Sequence, residues 1–374
     1  MDCRVVTSDR GYTDPSRRFA SRETWNGAAV VRVPATGFGR ESRTGRMFDY
    51  LTFLAGALVR MLSGPRPHVV VGLSTPPLLG AFAVRTARLR GARAVYWVMD
   101  VNPDIAFALG FISPEGVLGR VLSLMSKWTL GASDVVIALG ETMADRLRRQ
   151  GARHVVVVCN WADGEAIRPM ERNASSLRKD RGWDGKFIVL YSGNMGLAHE
   201  FDTVLEAAAR LQARRDVTFA FVGDGPRRKE IERGAAARGL SNVEFCPGVA
   251  RPLLGDSLAA GDVHLVTLRP GMPGLLVPSK IYGILAAGRP AIYVGPSEGE
   301  VYDIVRSGCG SAVASGDVDA LIRAIASYRN DPERLTREGL AARTLFESRF
   351  TKAGQAQTFL RELQAAAGRS SAEA

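Results

Sequence analysis

The stretch KFIVLYSGNMGLAH, residues 186–199, carries the pattern that decides the fold. Residues 186–191 are apolar with little alternation, which is typical of a strand buried on both faces. Small residues follow at 192–196, and a helix-patterned segment begins near Asp202. A buried strand, a glycine-containing turn and a helix in this order indicate a unit of a doubly wound α/β domain.

The same alternation of strand and helix continues along the chain. Val- and Ile-rich runs predict strands at 4–7, 29–33, 68–73, 94–98, 134–139, 154–159, 186–191, 217–222, 243–245, 263–268, 290–294 and 311–314. Helical patterns between these runs predict parallel sheets. We therefore expect an α/β protein with two Rossmann-like, doubly wound domains that face a cleft.

A polar, charged segment around Pro169 breaks this rhythm and predicts the domain boundaries. The first domain is expected at 1–163, a linker at 164–184 and the second domain at 185–350. The remaining residues, 351–374, hold a helical pattern at 354–367 that is expected to pack back on the first domain. Ligands of such folds bind beyond the carboxyl ends of the strands, so the loops there are the places to look for chemistry.

Length and composition limit the class of protein. At 374 residues the chain is long enough for two domains. A net charge of +11 favours a phosphorylated ligand or an acidic membrane surface, but an arginine-rich coding bias explains it equally well. Basic and aromatic residues are not interleaved, so no nucleic-acid partner is expected. The four cysteines and four histidines are dispersed, which predicts reduced thiols in a cytoplasmic protein without a metal site.

Three loops are candidates for phosphate binding. Small residues at 192–196 let the backbone approach a ligand, although a tight turn without a ligand explains them equally well. Gly223-Asp224-Gly225-Pro226 precedes a basic helix start, where solvated arginines are the simpler interpretation. Pro278-Ser279-Lys280 opens a helix, with Ser279 as a candidate N-cap and Lys280 as a candidate phosphate ligand.

Five stretches together resemble a known family. They are YWVMDVNPD at 96–104, NWAD at 160–163, SGNMG at 192–196 with His199, GDGP at 223–226 and PSKIYGILAAGRP at 278–290. In order and spacing they resemble the family-4 glycosyltransferases of the GT-B fold, in the branch that builds O-antigen, capsule and exopolysaccharide. The resemblance covers nearly the whole chain.

The resemblance implies a retaining transfer from a nucleotide sugar, a UDP- or GDP-sugar, to a lipid-linked or other saccharide acceptor. It also implies no essential metal and no cofactor besides the donor. Donor contacts are expected at Gly193, Asn194, Gly196, His199, Gly223, Asp224, Gly225, Ser279 and Lys280. Asp100 is the candidate for acceptor or sugar contact, and Glu300 for sugar hydroxyls, although a solvated loop carboxylate explains Glu300 equally well.

Several positions depart from the family pattern. Many members have Arg and Lys, both contacting the donor diphosphate, where Asn194 and His199 stand here, so Lys280 is expected to carry more of the charge. Two glutamates spaced eight apart in many members correspond to Leu275 and Gly283, and a usual histidine corresponds to Met99. The 4–7 run resembles the family's second strand, so we expect an upstream segment that encodes the first strand and its loop.

Two rival functions stay open at this stage. One is a sugar-nucleotide epimerase of the same fold, and the other is a degenerate, non-catalytic partner subunit. Asp317-Val318-Asp319 matches a metal-binding Asp-x-Asp motif of another glycosyltransferase fold, but it opens a helix, where Asp317 fits an N-cap.

A candidate membrane surface lies at residues 48–62. Six residues there share one helical face: Tyr50, Leu51, Leu54, Leu58, Met61 and Leu62. Four arginines lie within or beside the segment: Arg43, Arg46, Arg60 and Arg66. An apolar face with flanking cations predicts a peripheral protein at the inner face of the membrane. Packing against a sheet is the favoured interpretation for Leu54 and Leu58, and membrane contact for the aromatic, arginine-rich start of the segment.

Overall fold

The computed structural model describes residues 2–11, 14, 16–38 and 43–368. The strands of the N-terminal half are β1 (Arg4–Ser8), β2 (Arg22–Trp25), β3 (Ala28–Val33), β4 (Val69–Leu73), β5 (Arg93–Trp97), β6 (Val135–Ala138) and β7 (Val155–Val157). Its helices are α1 (Arg43–Leu62), α2 (Leu79–Leu89), α3 (Asp104–Ala108), α4 (Val117–Ala132) and α5 (Glu141–Arg149).

These seven strands form two sheets. One has the order β1-β3-β2, in which β1 pairs with β3 in parallel and β2 pairs with β3 in the antiparallel sense. The other is a parallel sheet with the order β4-β5-β6-β7. Strand β2 was not predicted. A tight turn at Asn26-Gly27 joins it to β3, and both turn residues have positive φ.

The C-terminal half repeats the alternation more regularly. Its strands are β8 (Phe187–Ser192), β9 (Val217–Val222), β10 (Val243–Cys246), β11 (Val263–Thr267), β12 (Ala291–Val294) and β13 (Gly310–Val313). Its helices are α6 (Ser176–Asp180), α7 (Asp202–Arg210), α8 (Arg228–Ala237), α9 (Leu254–Ala259), α10 (Lys280–Ala286), α11 (Glu300–Ile304), α12 (Val318–Asn330), α13 (Pro332–Arg349) and α14 (Lys352–Gly368).

All six C-terminal strands belong to one parallel sheet, in the order β10-β9-β8-β11-β12-β13. This is the order of a doubly wound domain, with β8 at the centre and the direction of winding reversing between β8 and β11. Every residue of β8 and β9 is buried, as their apolar runs predict. The parallel α/β class expected from the sequence is therefore confirmed.

The segment expected to be a linker packs closely on the C-terminal sheet. Trp183 is buried, and its indole N–H donates to Glu244 at 3.1 Å. The buried Arg178 guanidinium of α6 bonds Asp262 at 3.1 Å, and Asp262 also accepts the Ile188 N–H of β8. The polar pattern of the segment thus includes residues that anchor it.

The two halves meet along several contacts. Helix α14 packs Phe359, Leu363 and Ala366 against Val95 and Ile137 of the N-terminal half. The Val101 N–H donates to the Leu275 carbonyl oxygen at 2.8 Å. One hydrophobic cluster includes buried residues of both halves, such as Val101 and Leu275. Residues 369–374 of the expected C-terminal segment lie outside the described residues.

Candidate active site

Two glycine-containing loops lie back to back at the carboxyl ends of β8 and β9. Gly193 and Gly223 have φ values of 123° and 134°, a region that favours glycine. A Cβ on Gly223 would lie 2.3 Å from the Gly193 carbonyl oxygen, so nothing larger fits there. The Met195 N–H donates to the Asp224 carbonyl oxygen at 2.8 Å and ties the loops together. The loops thereby present a close-packed backbone surface to the cleft.

Lys280 lies against this surface from the other side. Its Nζ is 3.4 Å from the centroid of the Tyr191 ring. The side chain is partly exposed, but Nζ itself is buried and has no hydrogen-bond partner among the described residues. Burial lowers the pKa of Lys280 well below its usual value. A buried ammonium without a neighbouring anion is costly, which is the physical cause of this lowered pKa.

His199 is the second polar group beside the loops. Its Nδ1 lies 2.6 Å from the Thr267 carbonyl oxygen, which only accepts, so the proton is assigned to Nδ1. Burial, assisted by the charge of Lys280, lowers the pKa of His199 to about 3. The imidazole is therefore neutral at physiological pH, and Nε2 is left as an acceptor. With His199 neutral, Lys280 is the group beside these loops that can take up a positive charge, and its expected role towards the donor stays a prediction.

Two arginines at the basic helix start, which were interpreted from the sequence as solvated side chains, hold the loops in place. Arg227 Nη1 donates to the His199 carbonyl oxygen at 2.6 Å. Arg228 Nη1 donates to the Gly223 carbonyl oxygen at 2.5 Å and to the Cys246 carbonyl oxygen at 3.1 Å. The interpretation of Arg228 as a solvated side chain is wrong because its guanidinium binds these carbonyls. The basic helix start after 223–226 was the available signal.

Asp100 lies on the N-terminal wall of the cleft. The Ser74 hydroxyl accepts the N–H groups of Met99 and Asp100 at 3.0 and 3.1 Å, which fixes the loop after β5. Burial raises the pKa of Asp100 above its usual value. A partly buried carboxyl group facing a cleft is suited to hydrogen bonding with a sugar hydroxyl.

The cleft between the halves has a volume of about 710 Å³, within the usual range for ligand sites. Seven predicted residues line it together: Asp100, Gly193, Asn194, Gly196, His199, Ser279 and Lys280. Other lining residues, missed from the sequence as site residues, include Ile105, Leu109, Trp161, Arg251, Leu254, Leu258 and Lys352. Gly223, Asp224 and Gly225 do not line it but support the 193–196 loop from behind.

Glu300 lies apart from this cleft lining. Its Oε1 accepts the Met143 N–H at 3.1 Å, and its carboxyl group lies against Gly140 at the start of α5. Burial raises the pKa of Glu300. The carboxyl group thus links α11 of one half to the N-terminal turn of α5 in the other, and a sugar contact by Glu300 stays a prediction.

The other departure positions have distinct surroundings. Leu275 is buried and uses its carbonyl oxygen to bind Val101. Gly283 lines the cleft, and a Cβ there would meet Leu258 at 3.4 Å, an ordinary contact.

The N-cap prediction for Ser279 is wrong, since its side chain makes no capping bond. Asp317 does cap α12, accepting the Ala320 N–H at 2.8 Å.

Comparison with known families agrees with this architecture. A family model described as a glycosyl transferase 4-like domain matches residues 1–161, and one described as glycosyl transferases group 1 matches residues 186–331. The protein WcaI of Escherichia coli K12, named for glycosyl transfer in colanic acid biosynthesis, is 30% identical over 80% of this chain and 76% of its own. This chain belongs to the same family of glycosyltransferases.

Solved structures place the glycosyltransferase in the GT-B fold, as the sequence predicts. Sucrose-phosphate synthase from Thermosynechococcus elongatus superposes with a TM-score of 0.75, at 18% identity over 97% of this chain and 89% of that one. Anabaena HepE, solved with UDP-glucose, gives 0.72 at 15% identity over 97% and 99% of the two chains. Within the described part of the glycosyltransferase, no helix is long and apolar enough to cross a bilayer.

Proposed function

We propose that this glycosyltransferase moves a sugar, with retention of anomeric configuration, from a UDP- or GDP-sugar to a lipid-linked saccharide acceptor in cell-surface polysaccharide biosynthesis. The reaction would take place at the cytoplasmic face of the membrane. The observation that carries the donor assignment is the buried Lys280 Nζ, which has no hydrogen-bond partner among the described residues and lies beside two glycine loops. A diphosphate would supply the anionic hydrogen-bond partner that the Lys280 amine lacks among the described residues.

The donor diphosphate would lie between the 193–196 loop and Lys280. Lys280 would then regain its proton on donor binding and stabilise the negative charge that develops on the departing nucleoside diphosphate. The amide group of the exposed Asn194 is placed on the same loop and offers N–H donors without charge. His199 Nε2, left as an acceptor, would receive a hydrogen bond from a hydroxyl of the donor sugar.

The acceptor would enter from the N-terminal side of the cleft. Asp100 lies on that wall with Ile105 and Leu109, so a carboxyl group is set beside an apolar strip. This combination suits a saccharide hydroxyl followed by a lipid chain. WcaI is named for a polysaccharide pathway and HepE was solved with UDP-glucose, which supports a nucleotide-sugar donor and a saccharide acceptor.

A transfer assay tests the proposal. Radiolabelled UDP- and GDP-sugars would be incubated with the purified protein and a lipid extract, and the product separated by solvent partition. We expect label in the lipid fraction, dependent on one donor and retained in EDTA. Label that stays water-soluble as an epimerised donor without any acceptor would instead identify an epimerase. Absence of transfer with every donor, despite nucleotide binding, would identify a non-catalytic partner subunit.

A further inference from the structure

Helix α4 presents an exposed apolar face that the sequence analysis did not single out. Val117, Val121, Leu124 and Trp128 are all exposed. They recur at spacings of four, three and four, so they lie within about 60° of one another around the helix axis. These four residues are called the α4 face below. A contiguous row of large apolar side chains is an uncommon feature of a free surface and points to a binding surface.

The orientation of α4 is set by its opposite face. Gly119 and Leu130 are buried there. The Ser126 hydroxyl donates to the Asn102 carbonyl oxygen at 3.1 Å, in the loop that also holds Asp100. Arg88 of α2 donates to the Ala132 carbonyl oxygen at 2.9 Å, at the end of α4. Because these contacts fix the helix, the α4 face cannot turn inward without breaking them.

The charges on α4 indicate what covers this face. The helix carries Arg120 and Lys127 and contains no carboxylate, and Glu115 is the acidic residue nearest before it in sequence. At 100° per residue, both cations lie on one flank of the α4 face, about 70–90° from its centre. Cations beside an apolar row with a tryptophan match an anionic bilayer surface. Two copies meeting through the α4 face would bring like charges together without a carboxylate on α4 to pair them.

The α4 face is also connected to the cleft. Helix α3, which precedes α4, supplies Ile105 and Leu109 to the cleft lining. Phe111, in the connection between the two helices, is exposed. The chain therefore runs directly from the α3 residues that line the cleft, through the exposed Phe111, to the start of the α4 face.

We propose that the α4 face inserts into the interface of an anionic membrane and thereby holds the acceptor side of the cleft at the lipid surface. This rests on the proposed function in that the acceptor is lipid-linked. It adds a second candidate membrane contact to the one predicted in α1. In α1, Leu54 is buried and Tyr50, Leu58 and Met61 are partly buried, while Leu51 and Leu62 are exposed. The side chains of Arg43 and Arg46 lie outside the described residues.

Vesicle co-sedimentation of the full chain tests this proposal. Phosphatidylcholine vesicles with and without phosphatidylglycerol would be mixed with the parent, Leu124→Glu and Leu340→Glu. Leu340 of α13 is the matched control, because its exposed fraction of 68% is close to the 67% of Leu124. We expect Leu124→Glu to weaken binding to anionic vesicles by about tenfold and Leu340→Glu to bind like the parent. An Arg120→Glu, Lys127→Glu variant should lose affinity for anionic vesicles and keep that for neutral ones.

Several results would overturn the proposal. The first is that the parent does not sediment with anionic vesicles, and the second is that Leu124→Glu sediments as the parent does. The third is that only Leu51→Glu loses vesicle binding, which would place the membrane contact on α1. A parent dimer in light scattering that Leu124→Glu converts to a monomer would identify a second copy as the occupant. Nucleotide binding measured on the same variants keeps the two ideas separate. If Leu124→Glu still binds nucleotide but no longer sediments with vesicles, the α4 face is supported. If the parent itself binds no nucleotide, the donor site is contradicted, and the sedimentation result still decides the membrane proposal.

Discussion

The two halves of the glycosyltransferase differ in how their sheets are completed. In the C-terminal half, six parallel strands form one sheet, and β8 and β9 are buried along their whole length. In the N-terminal half, the described strands divide between two sheets. Val5 of β1 and Val71 of β4 are 41% and 38% exposed, whereas every residue of β8 and β9 is buried.

This difference matches the division of work that we propose. A diphosphate needs loops held to within a fraction of an ångström, and the buried C-terminal sheet holds the 193–196 and 223–226 loops in contact. The N-terminal half has the more exposed strands and the exposed apolar face of α4. In the function that we propose, this half receives the acceptor and the lipid surface, which tolerates a less buried scaffold.

The largest expected contrast is in stability. Val189 of β8 is fully buried, whereas Val71 of β4 is an exposed residue of the N-terminal half. Val189→Ala should lower the free energy of unfolding by about 2–3 kcal/mol, because it removes buried methyl groups and leaves a cavity. The same substitution at Val71 should cost less than about 1 kcal/mol. Urea denaturation of both variants measures the difference, and equal losses would remove the distinction between the halves.

A smaller effect is expected at the contact that joins the halves. Glu300→Ala should cost about 1–2 kcal/mol, since it removes the acceptor for the Met143 N–H at the start of α5. Glu300→Gln keeps an oxygen acceptor and is the matched control. Burial raises the pKa of Glu300, so the folded protein favours the protonated carboxyl group. The resulting contribution to the free energy of unfolding is present at low pH and declines as pH rises through that raised pKa. Urea denaturation at several pH values should show the free energy of unfolding of the parent falling relative to that of Glu300→Gln as pH rises. A difference that does not change with pH would contradict a buried, titrating Glu300.

The smallest expected effect is the uptake of a proton by the protein when the nucleotide binds. Burial lowers the pKa of Lys280 in the free protein, and a bound diphosphate should raise it. Nucleotide binding should therefore take up a proton wherever free Lys280 is deprotonated, and affinity should fall by at most about tenfold per pH unit as pH rises. Calorimetry in buffers of different ionisation enthalpy measures the uptake. Lys280→Met should show none, and an unchanged uptake in that variant would assign the proton elsewhere.

The sequence predicts best what depends on burial along a single strand. β8 begins and ends one residue later than predicted, because its apolar run is uninterrupted and both faces are covered. β2 was missed because all four of its residues are exposed, so it has no apolar pattern. Its Asn26-Gly27 turn was the signal that could have located it.

The candidate site follows the same rule. The meeting of Lys280, His199 and Gly193 was predictable, since loops at the carboxyl ends of neighbouring parallel strands share one edge of the sheet. The bond from Arg228 to Gly223 and that from Glu300 to Met143 were not, because they depend on side-chain directions and long-range packing. Arg178 pairs with Asp262 across 84 residues, which no local pattern in the linker indicates.

The central claim is that Lys280 binds the diphosphate of the donor. Calorimetric titration of UDP and GDP into the parent, Lys280→Ala and Lys352→Ala tests it most directly. Lys352 is the matched lysine, since it lines the same cleft but pairs with Asp163 at 3.7 Å. We predict that Lys280→Ala weakens binding of the preferred nucleotide by about 1.5–3 kcal/mol, a factor of roughly 10–150, and that Lys352→Ala binds within a few-fold of the parent. Unchanged affinity in Lys280→Ala would contradict the account.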